Sequence, residues 1–204
     1  MTWIQTYTGV AWDLEAPRAE NVRAVDIAHS LARLARFTGH TRTTGIYSVA
    51  QHSVLVSRRC AALADAWPAE RRRLVALAGL LHDAHEAYIG DTTRPMKAAL
   101  IALADEMCHD AGAFASVIAE IEAMHAQCIE TWARLPWMPG AIDVIRLADD
   151  ELLATEAREL MGPPPTSWGL RADPLPWRIE PWVPSEAEER FAAEYHRLNE
   201  TEDR

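Results

Sequence analysis

The spacing of apolar residues along the chain predicts a protein built almost entirely of helices. In several long segments the apolar positions recur three and four residues apart, which is the period of one face of an α-helix. Proline, glycine and capping residues divide these segments into successive helices. We predict helices after Pro17 to about residue 35, at about 49–67 and 68–88, a short one from Pro95, and others at about 103–135, 140–161 and 186–198.

Two parts of the chain depart from the helical period. Residues 3–12 alternate apolar and polar positions around Gly9, which predicts a short β-hairpin. Residues 162–184 are rich in proline and tryptophan, and we expect an ordered, irregular segment in which Trp168, Trp177 and Trp182 are buried. The prediction for the whole chain is an all-α domain with at most a minor hairpin.

The composition narrows the class of protein. A chain of 204 residues with 49% apolar and 25% charged residues is typical of one globular domain. No apolar run reaches the roughly 20 residues of a membrane-spanning helix, and the first residues do not read as a signal peptide. Three cysteines without CxxC spacing do not indicate a disulfide framework, so we expect a cytoplasmic protein. The net charge of −10 argues against a stable nucleic-acid partner but leaves a small phosphorylated substrate open.

The candidate chemistry begins where the apolar run Leu74–Leu81 ends directly in His82 and Asp83. Buried charge is costly unless it is paired or bound to a metal, so this pair predicts a cation site. Glu86 follows His82 by four residues, which on a continuous helix places it on the same face. We therefore expect Glu86 beside the metal, where it handles a water molecule or its proton.

Two more side chains fit the same site. His52 is in line with Val49 and Val56 on its predicted helix, and therefore faces inward. Asp149 belongs to an apolar stripe with Ile142, Ile145, Leu152 and position 156, so we predict that it is buried. Two imidazoles and two carboxylates suit one divalent transition metal, namely Mn, Fe, Co, Ni or Zn, better than calcium.

In this order, His52, His82-Asp83 and Asp149 resemble the HD-domain metal-dependent phosphohydrolases, which are helical bundles. The resemblance covers roughly residues 30–160 and extends to the bacterial 5′-deoxynucleotidases and their phage relatives that hydrolyse deoxynucleoside triphosphates. It rests on Arg36-Phe, Ser-Val-Ala-Gln-His-Ser53, His-Asp-Ala-His-Glu-Ala-Tyr-Ile-Gly-Asp91 with Pro-Met-Lys97, and Leu-Ala-Asp149.

The resemblance implies a role for each matching residue. It makes His52, His82, Asp83 and Asp149 the metal ligands and Glu86 the acid beside the metal. It makes Asp91 a second acid of the active site and places Arg36 at the phosphate and sugar end of the substrate. Phe37 stands where the nucleotidases usually have tryptophan, Gln51 replaces a glutamate, and the segment after residue 162 has no counterpart.

The loop between residues 36 and 47 precedes the first ligand helix, so we expect it to overhang the metal. Phe37 and Tyr47 would supply aromatic faces, His40 a polar group, and Lys97 a charge for the remaining phosphate. The prediction is a 5′-deoxynucleotidase acting on deoxynucleoside monophosphates. A deoxynucleoside triphosphate triphosphohydrolase and a catalytically silent nucleotide-binding module stay open as alternatives, and the resemblance implies a homo-oligomer.

Overall fold

The computed structural model describes residues 2–108 and 110–200 and shows an all-α fold with one small hairpin. Strands β1 (Trp3–Gln5) and β2 (Ala11–Asp13) pair antiparallel, as predicted. Single 3₁₀ turns occur at Ala19–Asn21 and Arg36–Gly39. The helices are α1 (Ala24–Leu31), α2 (Val49–Leu63), α3 (Ala69–Leu81), α4 (Glu86–Ile89), α5 (Arg94–Cys108), α6 (Ala111–Trp132), α7 (Ala141–Leu160) and α8 (Pro184–Asn199).

Helix α2 lies at the centre of the fold and packs against α3, α7 and α8. Ser48 caps its first turn by accepting a hydrogen bond from the Gln51 backbone nitrogen at 3.2 Å, as the sequence predicts. The Gln51 side chain does not complete a capping box, because its amide bonds to the backbone of residues 180 and 182 instead. The first turn of α2 therefore connects the helical core to the segment that precedes α8.

Two apolar clusters flank α2. The larger cluster joins the hairpin to α1, α2, α3, α6 and α8, and the fully buried Trp12 stacks on Tyr88 within it at 3.7 Å between ring centroids. The second cluster lies between α2, α7 and the segment after α7, where Leu152, Leu160 and Leu175 are buried. Burial of apolar surface in these clusters stabilises the fold.

The predicted helix 68–88 is wrong in its second half, because the chain leaves the α-helix at His82. Backbone hydrogen bonds from Ala84 to Leu81 and from Glu86 to Asp83, both 3.0 Å, span three residues instead of four. Such tighter turns are common where helices end. The turn at residues 82–85 places the predicted ligands between α3 and α4, at the end of a buried helix.

Two other predicted helices also differ from the structure. The helix predicted from Pro17 to residue 35 is limited to α1 and the preceding 3₁₀ turn. The helix predicted at 103–135 is divided between α5 and α6, because the Asp110 side chain accepts a hydrogen bond from the Ala113 backbone nitrogen at 2.9 Å and starts a new helix.

The segment between α7 and α8 is irregular, as predicted, but its tryptophans are not its buried anchors. Trp168 is 41% exposed and Trp177 is 37% exposed, whereas Leu175 and Ile179 are buried against α2 and α7. Trp182 is half-buried, with the Arg190 guanidinium 4.4 Å from its ring. The expectation of three buried tryptophans is therefore wrong. In the part of the chain that the structure describes, we find no helix both long and apolar enough to cross a membrane.

Candidate metal centre

Three predicted ligands meet where α2 passes the end of α3. His52 is fully buried on α2, and its Nε2 lies 3.6 Å from Asp83 Oδ2. His82 Nε2 lies 3.1 Å from the same oxygen. One ligand atom from each of the three residues falls within 4.8 Å of the others, which is the spacing of groups that could hold one metal ion.

The fourth predicted ligand reaches the same place from α7. Asp149 Oδ1 lies 3.3 Å from His52 Nε2, and its Oδ2 lies 3.5 Å from an Arg94 side-chain nitrogen. Asp149 is not among the three residues whose ligand atoms all lie within 4.8 Å of one another, so it lies at the edge of the cluster formed by His52, His82 and Asp83. Asp149 is half-buried and not buried as predicted, and Ile142 of the predicted apolar stripe is 54% exposed. Helix α7 is buried at Ala148 and Leu152 instead.

The histidine tautomers suit a metal. His82 Nδ1 lies 2.8 Å from the Gly79 carbonyl oxygen, and His52 Nδ1 lies 2.6 Å from Glu156 Oε1. A carbonyl or carboxylate oxygen only accepts, so each Nδ1 carries the proton. In the neutral rings, each Nε2 therefore offers a lone pair. Among the described residues neither buried Nε2 has a hydrogen-bond partner, since the nearby carboxylate oxygens are close but not aligned.

The electrostatics of the cluster also favour a cation. Burial alone would lower the pKa of His82, but the carboxylates of Asp83 and Asp149 raise it to about 9. Burial would raise the pKa of Asp149, but the adjacent His52 imidazole, together with His82 and Arg36, lowers it to about 2. The carboxylates thus attract positive charge, which protons on the histidines supply when no metal is bound. A bound divalent ion would release those protons.

Glu156 supports the cluster and was not identified as functional from the sequence. It is fully buried on α7, and besides His52 it accepts hydrogen bonds from the Tyr47 hydroxyl at 2.7 Å and from Arg36 at 3.0 Å. Burial would raise the pKa of Glu156, but Arg36 and His52 lower it. Like Asp149, Glu156 is an acid on the predicted apolar stripe, seven residues further along the chain, and the same reasoning would have predicted it as a site residue.

We expect Glu156→Gln to weaken metal binding by about 10- to 100-fold, the usual effect of removing a partner that orients a histidine ligand. An amide accepts a weaker hydrogen bond from His52 Nδ1 than a carboxylate does. Calorimetric titration with Mn²⁺ or Zn²⁺ measures the change. Tyr47→Phe is the matched control, because it removes the other hydrogen bond to the same oxygen of Glu156 and leaves His52 untouched. Equal affinities in wild type and Glu156→Gln would contradict the prediction.

Arg36 links Asp83 of the cluster to the buried Glu156. Its guanidinium pairs with Glu156, and one nitrogen lies 3.6 Å from Asp83 Oδ2. Burial alone would lower the pKa of Arg36, but Glu156 and Asp83 raise it, so the side chain stays charged. A fixed guanidinium beside the ligands is well suited to a phosphate oxygen.

Two acids next to the cluster have raised pKa values. Burial, together with the charges of Asp83 and Asp91, raises the pKa of Glu86 to about 9, and Glu86 Oε2 is buried without a hydrogen-bond partner among the described residues. Burial also raises the pKa of Asp91. Raised carboxylate pKa values are typical of groups that transfer protons in catalysis. Helix α5 begins at Arg94, so Asp91 lies outside the capping position of that helix.

The pKa of Glu86 predicts a pH dependence of stability. Because the folded-state pKa is above the ordinary value of 4.5, protonation of Glu86 stabilises the fold fully below pH 4.5, and this contribution is lost as the pH rises toward about 9. After removal of metal with a chelator, Glu86→Gln should therefore melt at a higher temperature than wild type at pH 8, and the difference should shrink toward pH 5. A difference independent of pH between 5 and 9 would contradict the assignment.

The four other residues predicted to contact the substrate differ in their exposure and in the partners that they already have. Phe37 is half-buried near Arg36, and His40 is exposed in the same loop. Tyr47 is 1% exposed, so it lies too deep to offer an aromatic face and acts through its hydrogen bond to Glu156. Lys97 forms an ion pair with Glu122, so its charge is already compensated.

Comparison with known proteins agrees with this geometry. A family model described as HD domain matches residues 49–164, which include all four predicted ligands. An uncharacterized protein of Rhodobacter capsulatus is 43% identical over 98 residues, which are 48% of each chain. The uncharacterized protein YfdR of Escherichia coli is 36% identical over 97 residues, or 48% of this chain and 47% of YfdR. The chain thus matches about half the length of these curated relatives.

Proposed function

Because the chain belongs to the HD-domain family, whose members are generally metal-dependent phosphohydrolases, we propose that it hydrolyses deoxynucleotides. Within this class we propose a 5′-deoxynucleotidase, which releases phosphate from deoxynucleoside 5′-monophosphates. The observation that carries the proposal is the convergence of the Asp83 carboxylate with two buried histidine nitrogens, which have no hydrogen-bond partner among residues 2–108 and 110–200, beside a charged Arg36. Such a site binds a cation on one side and an anion on the other.

The residues of the site divide the reaction between them. A divalent cation held by His52, His82, Asp83 and Asp149 would neutralise phosphate charge and lower the pKa of a water molecule. Arg36 holds a phosphate oxygen and keeps the ester in place. Glu86 accepts the proton of the attacking water or delivers one to the departing sugar oxygen, and its burial keeps competing water away. The products are a deoxynucleoside and inorganic phosphate.

Product analysis tests the proposal and distinguishes its alternatives. The protein is incubated with Mn²⁺ or Co²⁺ and a panel of deoxynucleoside mono- and triphosphates, and the products are separated by chromatography. Phosphate and deoxynucleoside from the monophosphates support a nucleotidase. Intact triphosphate and deoxynucleoside would identify a triphosphohydrolase, and nucleotide binding without any product would identify a silent binding module.

We expect the protein to prefer deoxyribose. A half-buried Phe37 ring beside Arg36 offers a 2′-hydroxyl no hydrogen bond, and leaving a buried polar group unpaired costs roughly 1–3 kcal/mol. The corresponding preference in kcat/KM for dAMP over AMP is about five- to hundredfold. Steady-state kinetics on both substrates measure it, and Phe37→Ala should narrow the gap. Equal kcat/KM for AMP and dAMP, and for ATP and dATP, would leave a general nucleotide phosphatase.

A further inference from the structure

The proline-rich segment, which we define as residues 161–183 between α7 and α8, is fixed to the walls of the candidate metal centre. The Leu175 backbone nitrogen donates to Thr155 Oγ1 at 2.8 Å. The Gln51 side-chain amide donates to the Glu180 carbonyl and accepts from the Trp182 nitrogen, both at 2.8 Å. Thr155 precedes Glu156 in the chain, and Gln51 precedes His52. The residues that hold this segment are thus immediate neighbours of residues that form the site.

Trp168 of the proline-rich segment lies against Phe37 in the loop between residues 36 and 47. Its ring centroid lies 5.9 Å from that of Phe37, with the two planes tilted by 46°. Trp168 is 41% exposed, whereas Leu175 and Ile179 supply the buried apolar anchors. The segment is therefore held without Trp168, and the indole keeps a free aromatic surface next to Phe37.

The backbone on both sides of this aromatic pair has unusual conformations. Phe37 and Thr38 both have φ of 54°, in the left-handed region that residues with a Cβ seldom adopt. Gly169, which follows Trp168, has φ of 62°, which a glycine adopts without strain. Strained backbone persists only where the surrounding structure fixes it, and it concentrates at functional sites. The two rings are thus presented by defined turns in two separate segments of the chain.

The aromatic pair lies next to Arg36, the residue that we propose for phosphate binding. The guanidinium carbon of Arg36 lies 5.5 Å from the centroid of the Phe37 ring, while the other side of the same guanidinium contacts Asp83. Passing from Asp83 to Arg36, Phe37 and Trp168, the surface changes from metal ligand to cation to aromatic face. A nucleotide has the same order of parts, namely phosphate, sugar and base.

We propose that Trp168, packed beside Phe37, supplies the face on which the nucleobase of the substrate stacks, while Phe37 lies against the sugar. Trp168 is then a specificity-determining residue supplied from outside residues 49–164, the segment that matches the HD-domain model. This inference rests on the proposed function. Every base has an aromatic face, and stacking therefore binds nucleotides while tolerating different bases. The expected consequence is a strong preference for nucleotides over sugar phosphates and a weak preference among bases.

The test compares Trp168→Ala with wild type on dAMP and on 2-deoxyribose 5-phosphate, which has the same reacting ester and no base. Stacking contributes roughly 1–3 kcal/mol per base, or about a five- to hundredfold rise in KM for dAMP when Trp168 is removed. The KM for deoxyribose phosphate should not change, and Trp168→Phe should keep most of the affinity for dAMP. Trp177→Ala is the matched control, because Trp177 has similar exposure in the same segment and contacts Arg158 through its backbone oxygen.

The outcomes separate this inference from the proposal on which it rests. If wild type hydrolyses dAMP and Trp168→Ala changes the KM for both substrates equally, or for neither, the stacking face is wrong and the deoxynucleotidase assignment stands. An effect of Trp177→Ala on dAMP as large as that of Trp168→Ala would also overturn it. If wild type neither binds nor hydrolyses dAMP with Mn²⁺ or Co²⁺ present, both the proposed function and the stacking face are wrong.

Discussion

Replacing His82 with alanine is expected to remove the bound metal and abolish phosphohydrolase activity. His82 directs an unpartnered Nε2 toward Asp83 at 3.1 Å, and the Gly79 carbonyl holds its other nitrogen protonated. The two histidine ligands make the cluster suitable for a transition metal that binds nitrogen. Without the His82 imidazole only one of these ligands is left. Elemental analysis of the purified protein should give close to one metal per chain for wild type and close to none for the variant.

A buried histidine elsewhere in the fold provides the matched control. His125 on α6 is fully buried, its Nδ1 also lies 2.8 Å from a backbone carbonyl oxygen, and its Nε2 has no partner among the described residues. It lies against Trp12 and is not part of the candidate metal centre. His125→Ala should keep its metal even if its melting temperature falls. A metal content near one per chain in His82→Ala would refute the ligand assignment.

Glu86→Gln is expected to keep the metal and the fold but to lose most turnover. The amide is close in shape to the protonated carboxyl group that burial favours, but it cannot transfer a proton. General acid–base groups contribute about 10²- to 10⁴-fold to rate, and we expect a loss of kcat in this range. Stopped-time assays on dAMP with Mn²⁺ or Co²⁺ measure kcat, and elemental analysis verifies the metal content.

The control for this substitution is a buried glutamate that is not part of the candidate metal centre. Glu194 on α8 is 7% exposed and pairs with Arg197, so Glu194→Gln tests the general cost of replacing a buried carboxylate by an amide. It should retain nearly normal kcat. A Glu86→Gln variant with kcat similar to wild type would show that Glu86 has only a structural role.

The candidate ligands could be predicted from the sequence because each one breaks an apolar pattern. His52 lies among buried residues of α2, His82-Asp83 follow the buried end of α3, and Asp149 follows the buried Ala148 on α7. A polar group in such a position needs a partner, and several of them together indicate a shared one. Glu156 also breaks the apolar pattern of α7, but its partners could not be predicted in the same way. Tyr47 and Arg36 belong to a loop, and a loop has no periodic pattern from which its course can be predicted.

Other features depended on tertiary contacts that the sequence does not encode locally. The turn at residues 82–85 continues the helical period of α3 in sequence, yet its hydrogen bonds are of the 3₁₀ type. The charge of Lys97 was expected at the substrate, but Glu122 on α6 pairs with it after α5 and α6 pack together. Trp168 and Trp177 were expected in the interior, but smaller aliphatic residues of the same segment fill that space.

The helical core of the protein extends beyond the residues that match the HD-domain family. The HD-domain match covers residues 49–164, but the larger apolar cluster also contains Trp12 and Leu31 before that range and Phe191 and Leu198 after it. Helix α8 packs on α1, α2 and α3 together, and so closes the face of α2 and α3 that a fragment limited to the matched residues would expose to water. The segment that matches the family model is therefore shorter than the segment that forms the hydrophobic core. An excised fragment of residues 49–164 would retain every candidate ligand but lack α1 and α8, which pack on the helices that carry those ligands.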